Sequence, residues 1–190
     1  MVEISNKYIY KIIVVGDGAV GKTSLIKKFT EGSFEQDYIK TIGAQFSKYE
    51  SERNGDKIKL LFWDIAGQED FQFLLPSFYQ NAKAAIIAYS LEENELGMNS
   101  FAHILNWNEN IENYCGNIPI LVFANKVDLV IEGNLDMSKL QKLVDDNDFF
   151  GYYLTSAKTG QGVIKAFNTI INRIYDQSDL HLNFRTNHSI

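Results

Sequence analysis

Apolar residues come in short runs divided by polar loops, and the period of each run identifies its element. Tyr8–Val15 is a dense apolar run broken at Lys11 and closed by Gly16. That is the pattern of a strand buried on both faces that ends in a loop. Leu25, Ile26 and Phe29 follow at helical spacing. Gln45–Glu50 and Ile58–Trp63 read as strands, and the Arg53–Asp56 turn between them carries Asn-Gly at its centre, a hairpin signal. Ala84–Ser90, Pro119–Ala124 and Tyr152–Thr155 predict three more strands. Ile104, Trp107, Ile111 and Tyr114 form one helical stripe, and Val163, Phe167, Ile170 and Ile174 form another. Met137, Leu140 and Val144 make a shorter one. From Asp176 onward the periodicity is lost, which divides the chain into a folded domain over 1–176 and a mobile tail over 177–190.

Strands alternating with helices predict an α/β fold, a parallel sheet covered on both faces. On such sheets ligands bind at the carboxyl ends of the strands. The segments with chemical character lie just after predicted strands.

Composition narrows the possibilities. The chain has 190 residues, 45% hydrophobic and 22% charged, as expected of a globular domain. Its net charge of −6 argues against non-specific nucleic-acid binding. A single cysteine, Cys115, excludes an intrachain disulfide and a multi-cysteine zinc site. No apolar run approaches the roughly 18 residues of a membrane span, and the N-terminus lacks the signature of a signal peptide. These features predict a soluble cytoplasmic protein.

Gly16-Asp17-Gly18-Ala19-Val20-Gly21-Lys22-Thr23 matches G-x-x-x-x-G-K-[ST] in full, between a strand and a helix. Glycines let the backbone wrap phosphates with its N–H groups turned inward, and the helix N-terminus adds orphan donors. Lys22 supplies a charge to the β- and γ-phosphates. Thr23 offers a hydroxyl to Mg²⁺, which needs few protein ligands. Taken alone, this motif leaves ATPases, kinases and GTPases open.

Two later segments separate these classes. Asn125-Lys126-Val127-Asp128 and Ser156-Ala157-Lys158 each follow a predicted strand. With the phosphate loop, they make the sequence resemble a Ras-superfamily small GTPase over roughly Tyr8 to Tyr175. The resemblance implies a mixed, mostly parallel six-stranded sheet flanked by about five helices. It implies that Asp128 accepts hydrogen bonds from guanine N1–H and N2–H₂. Adenine puts a bare acceptor there, and a facing carboxylate would be unpaired, which argues against an ATP-dependent enzyme. By the same resemblance, Asn125 braces the loop and the Lys126 stem lies along the base. The Ala157 N–H meets guanine O6, and Phe34 stands against the base. Ser24, Tyr38, Ser156 and Lys158 complete the implied nucleotide-binding set.

Tyr38 to Gly43 resembles the first switch of the family, with Thr41 as ligand to Mg²⁺ and γ-phosphate. Trp63-Asp64-Ile65-Ala66-Gly67-Gln68-Glu69 resembles the second. There Asp64 would hold a Mg²⁺-bound water, the Gly67 N–H would touch the γ-phosphate and Gln68 would orient the attacking water. Lys22, Gly67 and Gln68 are thus the expected catalytic residues, and Thr23, Thr41 and Asp64 the metal set. None of the three arginines, Arg53, Arg173 and Arg185, lies where it could serve as a finger in cis, so slow intrinsic hydrolysis is expected.

Thr41-Ile42-Gly43-x-x-Phe46 looks like the Rab pattern. Asp70 and Leu75-Pro76 are more Rho-like, but the interval from Asp128 to Ser156 is too short for the Rho inserted helix. The resemblance is therefore chiefly to the Rab branch. It implies effectors, an exchange factor and a GTPase-activating protein as partners, no nucleic acid, and a monomer. Cysteine is missing after Cys115, residue 2 is valine, and the tail has one basic residue. These observations predict no direct lipid anchor, so membrane association would run through a partner. A nucleotide-locked binding module that does not cycle is the alternative. Outside the motifs, Cys115 reads as a packing residue, His103 as a surface or half-buried residue, and Trp107 as core. Trp63 reads as equally suited to partner contact and packing.

Overall fold

The computed structural model describes residues 6–34, 41, 43–66, 75–131, 133 and 135–186, with the backbone alone for residues 75 and 179–186. Six strands form one sheet: β1 (Lys7–Val15), β2 (Ala44–Arg53), β3 (Asp56–Ile65), β4 (Ala84–Ser90), β5 (Ile120–Asn125) and β6 (Gly151–Leu154). Their order is β2-β3-β1-β4-β5-β6, and only the β2–β3 pair is antiparallel. That pair is the predicted hairpin. Asn54 and Gly55 both have positive φ, 50° and 83°, the backbone that a two-residue turn of matching twist demands.

The helices are α1 (Lys22–Glu31), α2 (Leu75–Tyr79), α3 (Glu95–Ala102), α4 (Ile104–Cys115), α5 (Ser138–Asp146) and α6 (Val163–Thr186). Five are long, matching the expected number, and α2 is a single short segment of five residues. The alternating pleat divides the core in two. One face packs α1 and α6 against the sheet, centred on Phe167, whose ring lies 4.5 Å from Phe29, 5.3 Å from Phe62 and 5.2 Å from Phe123. Offset and edge-on contacts of this kind add to the burial of large rings. The other face gathers Ile13, Ile87, Val122, Ile104, Ile111, Leu140 and Val144 under α4 and α5. β4 and β5 are buried at every position, as expected of central parallel strands.

Two expectations change. The helical stripe predicted from Ile104 is preceded by a further helix, α3, which no apolar stripe announces; Asn94 caps it by accepting a hydrogen bond from the Gly97 N–H at 3.1 Å. The backbone of α6 continues as helix to Thr186, so the boundary expected at residue 176 does not mark the helix end. Nothing between 163 and 186 forces a stop, since that stretch lacks both proline and glycine. Among the described residues no helix is long and apolar enough to cross a membrane.

Candidate functional site

The carboxyl ends of β1, β3, β5 and β6 carry most of the predicted site residues, and parallel pairing brings these ends together; Phe34, Tyr38 and Thr41 belong to the segment between α1 and β2. The phosphate loop follows β1. Its backbone takes positive φ at Gly16, Ala19 and Gly21 (134°, 62° and 100°), conformations that bend the chain sharply within a short loop. Lys22 opens α1 and folds back over the loop. Its Nζ donates to the carbonyls of Gly16 and Asp17, each at 2.7 Å. It is 6% exposed, and burial pushes its ammonium down to about 8, against the pull of Asp64 and Asp17. A charge held under those conditions attracts an anion, because the surrounding solvent cannot neutralise it. Ser24 sits two residues on, partly buried in α1.

Next to Lys22, three oxygen-bearing side chains converge. Thr23 Oγ1 lies 3.0 Å from Thr41 Oγ1 and donates to Asp64 Oδ2. Thr41 Oγ1 also reaches Asp64 Oδ2 at 3.4 Å. Asp64 is 3% exposed, and burial raises its carboxyl above the ordinary range. Its second oxygen, Oδ1, is buried with no hydrogen-bond partner among the described residues. Two hydroxyls and a buried carboxylate with a spare oxygen suit a small hard cation, which prefers oxygen donors. The residues present therefore fit Mg²⁺.

The third part is built from the loops after β5 and β6. Asn125 is 1% exposed and crosses between them. Its Nδ2 donates to the Val20 carbonyl at 2.8 Å, and its Oδ1 accepts from Thr155 Oγ1 at 3.3 Å and the Ala157 N–H at 3.2 Å. One side chain so ties the phosphate loop to the loops after β5 and β6. Asp128 Oδ1 accepts from Ser156 Oγ at 2.6 Å, and the Val127 N–H bonds to the Thr155 carbonyl at 3.1 Å. Lys126 holds a left-handed backbone, φ 67°, and its Nζ pairs with Glu92 Oε2. Glu92 belongs to no sequence motif. It also accepts from Ser90 Oγ at 2.9 Å, and only the folded chain brings it to Lys126.

Lys22, Thr23, Thr41, Asp64, Asn125, Asp128, Ser156 and Ala157 thus meet at one end of the sheet. Lys158 is exposed beside them, and Phe34, 38% exposed, follows α1. Tyr38, Gly67 and Gln68 lie outside the described residues, as does Asp70. Asp17 has two roles: its carbonyl serves Lys22, while its carboxylate turns to α4 and bonds His103 and Trp107. The residues set aside at the sequence level behave accordingly, with one exception. Cys115 donates to the Tyr79 carbonyl at 3.3 Å, and burial raises its thiol to about 11, so it packs and stays protonated. Trp107 packs with the second core, but its indole N–H also serves the phosphate loop. Arg53 bonds Asn168 at 2.6 Å and Arg173 lies over Phe150 at 5.1 Å, both at the opposite end of the strands from the site.

The sequence profile described as the Ras family matches residues 11–176. The chain is 34% identical to the Ras-related protein Rab-30 of Homo sapiens over 172 residues, 90% of this chain and 82% of that one. It is 34% identical to Ras-related protein Rab-13 of Mesocricetus auratus over 168 residues, 88% and 80% of the two chains. It is 36% identical to Ras-related protein Rab-1 of Theileria annulata over 172 residues, 90% and 76%. With the profile matching most of its length and relatives over 30% identical along nine-tenths of it, this chain belongs to the Ras family of small GTPases, on its Rab-like side.

Proposed function

We propose that this protein is a guanine-nucleotide switch that binds GTP and GDP with Mg²⁺, hydrolyses GTP slowly, and engages effectors in its GTP form. The observation that carries this reading is Asn125, whose amide joins the phosphate loop to the loops of Asp128 and Ala157. A residue in that position makes base recognition and phosphate binding one rigid unit. Asp128 keeps one oxygen on Ser156, which leaves the other to accept from guanine N1–H and N2–H₂ when the nucleotide binds.

Hydrolysis is an in-line displacement in which water oxygen attacks the γ-phosphorus and the bond to the β–γ bridging oxygen breaks. Lys22 meets the β- and γ-phosphates from within the loop. The Gly67 N–H holds a γ-oxygen, and Gln68 orients the water. Thr23 and Thr41 would hold Mg²⁺ through their hydroxyls and Asp64 through a water, and the ion supplies positive charge to the phosphate oxygens. The γ-phosphate contacts of Thr41 and Gly67 order the two switch segments, and loss of that phosphate releases them.

With Arg53 and Arg173 engaged far from the phosphates, an activating protein supplies the missing charge. Intrinsic turnover should be on the order of 10⁻⁴–10⁻³ s⁻¹. In single-turnover assays Gln68→Leu should slow it roughly tenfold or more with nucleotide affinity nearly unchanged. Equal rates in the variant and the parent would remove Gln68 from this role.

The effector face is aromatic. Phe46 is 72% exposed, its ring lies 5.7 Å from Trp63, and Trp63 lies 6.1 Å from Phe78. Lys11 caps the Trp63 ring at 3.9 Å, a cation–π contact that fixes it. Exposed aromatic surface beside the second switch suits a partner that reads the nucleotide state. The protein works as a cytoplasmic monomer in vesicle trafficking or signalling.

A further inference from the structure

The phosphate loop is fastened to the α3–α4 junction by its own aspartate. Asp17 Oδ2 lies 2.7 Å from His103 Nδ1, and Oδ1 accepts from Trp107 Nε1–H at 2.9 Å. His103 and Trp107 are four residues apart, so they share one helix face and take the two carboxylate oxygens side by side. The position of His103 is itself fixed. It ends α3 and begins α4, and its N–H bonds to the Asn99 and Phe101 carbonyls. Trp107 packs with the second core, which gives the contact a rigid base. On its other side, Asp17 offers its carbonyl to Lys22. An unbroken chain of contacts therefore runs from the core of α4 through Asp17 to the phosphate-binding lysine.

We propose that His103 and Trp107 form a clamp on Asp17 that sets how long nucleotide stays bound. This rests on the nucleotide-binding reading of the site. A tethered loop is already ordered when phosphates arrive, so binding loses less conformational freedom and release requires the tether to open. His103 and Trp107 are positioning residues that act on the phosphates through Asp17. The clamp governs retention and leaves the hydrolysis step to Lys22 and Gln68.

The test is release of a fluorescent GDP analogue into excess GTP with Mg²⁺ present, using the full chain. The His103 side chain is 51% exposed, so His103→Ala leaves the core intact. Trp107→Phe keeps the ring packing and deletes only the indole donor. Each should speed release roughly three- to tenfold. His103→Asn, whose amide can donate near the place of Nδ1, should restore release to within about twofold of the parent. Single-turnover hydrolysis should change less than about twofold in all three, since the clamp makes no contact that strengthens in the transition state. If the parent retains the analogue and both deletions release it at the parental rate, the clamp is overturned and the site stands. Equal speeding by His103→Asn and His103→Ala would also overturn it, because the lost group would then not be the hydrogen bond. A parent that retains no analogue would overturn the site reading and the clamp together.

Discussion

Replacing Asp128 by asparagine should lower GTP affinity roughly 10³-fold or more and raise the relative affinity for xanthine nucleotides. The geometry separates the two duties of this side chain. One oxygen accepts from Ser156 Oγ at 2.6 Å and holds the loop. Asparagine keeps an oxygen for that bond, so the loop after β5 stays in place. The other oxygen becomes an amide that donates, and in the proposed pose it would face the guanine N1–H and N2–H₂ donors. Two opposed donors lose a hydrogen bond and leave polar groups unpaired. Xanthine presents a carbonyl at C2 and accepts from the new amide. Titration of GTP and XTP against parent and variant reads the effect directly. GTP affinity unchanged in the variant would mean that the base pocket is misassigned.

The second large effect is structural. Gly16→Ala should destabilise the protein by about 4 kcal/mol, the sum of a strained backbone and an overpacked contact, each worth roughly 1–3 kcal/mol. Gly16 has φ 134°, a region that L side chains rarely adopt. A Cβ there would stand 2.1 Å from the Ala88 carbonyl oxygen. That oxygen belongs to β4, a strand buried along its whole length between β1 and β5, so it cannot retreat. For a chain of this size the loss corresponds to a melting point lower by roughly 8–16 °C. Thermal unfolding of parent and variant checks it, and a fall under about 2 °C would show that the strand gives way more readily than its packing implies.

How much of this was legible in the sequence depended on whether the signal was local. The strand runs, the Asn54-Gly55 turn and the stripes of α4, α5 and α6 are local patterns, and each forms where the period places it. Helix α3 escaped because its buried positions are Gly97 and Ser100, which make no apolar stripe. Its one readable signal was Asn94, three residues before Gly97, and that signal is weak without a stripe behind it. The continuation of α6 past Asp176 escaped because a hydrophobic period reports packing, whereas a helix backbone can continue beyond it.

The site divides in the same way. Motifs after strands located Lys22, Thr23, Asp64, Asn125 and Asp128, because a parallel sheet places every such loop at one end. The supporting contacts were not legible. Asp17 meets His103 and Trp107 across 86 and 90 residues, and Lys126 meets Glu92 across 34. No spacing rule records pairs that only the folded sheet creates. The sequence also presents Asp17 as one member of a phosphate motif, while the fold gives its carbonyl and its carboxylate separate partners.

The most direct test of the central claim is nucleotide identity and turnover in one preparation. The purified protein is extracted and its bound nucleotide chromatographed; it is then loaded with GTP and followed through a single turnover, with ATP as control. The expected result is bound guanine nucleotide, GTP cleaved to GDP and phosphate on the order of 10⁻⁴–10⁻³ s⁻¹, and no response to ATP. Equal use of ATP and GTP, or a protein that retains no guanine nucleotide, would contradict it.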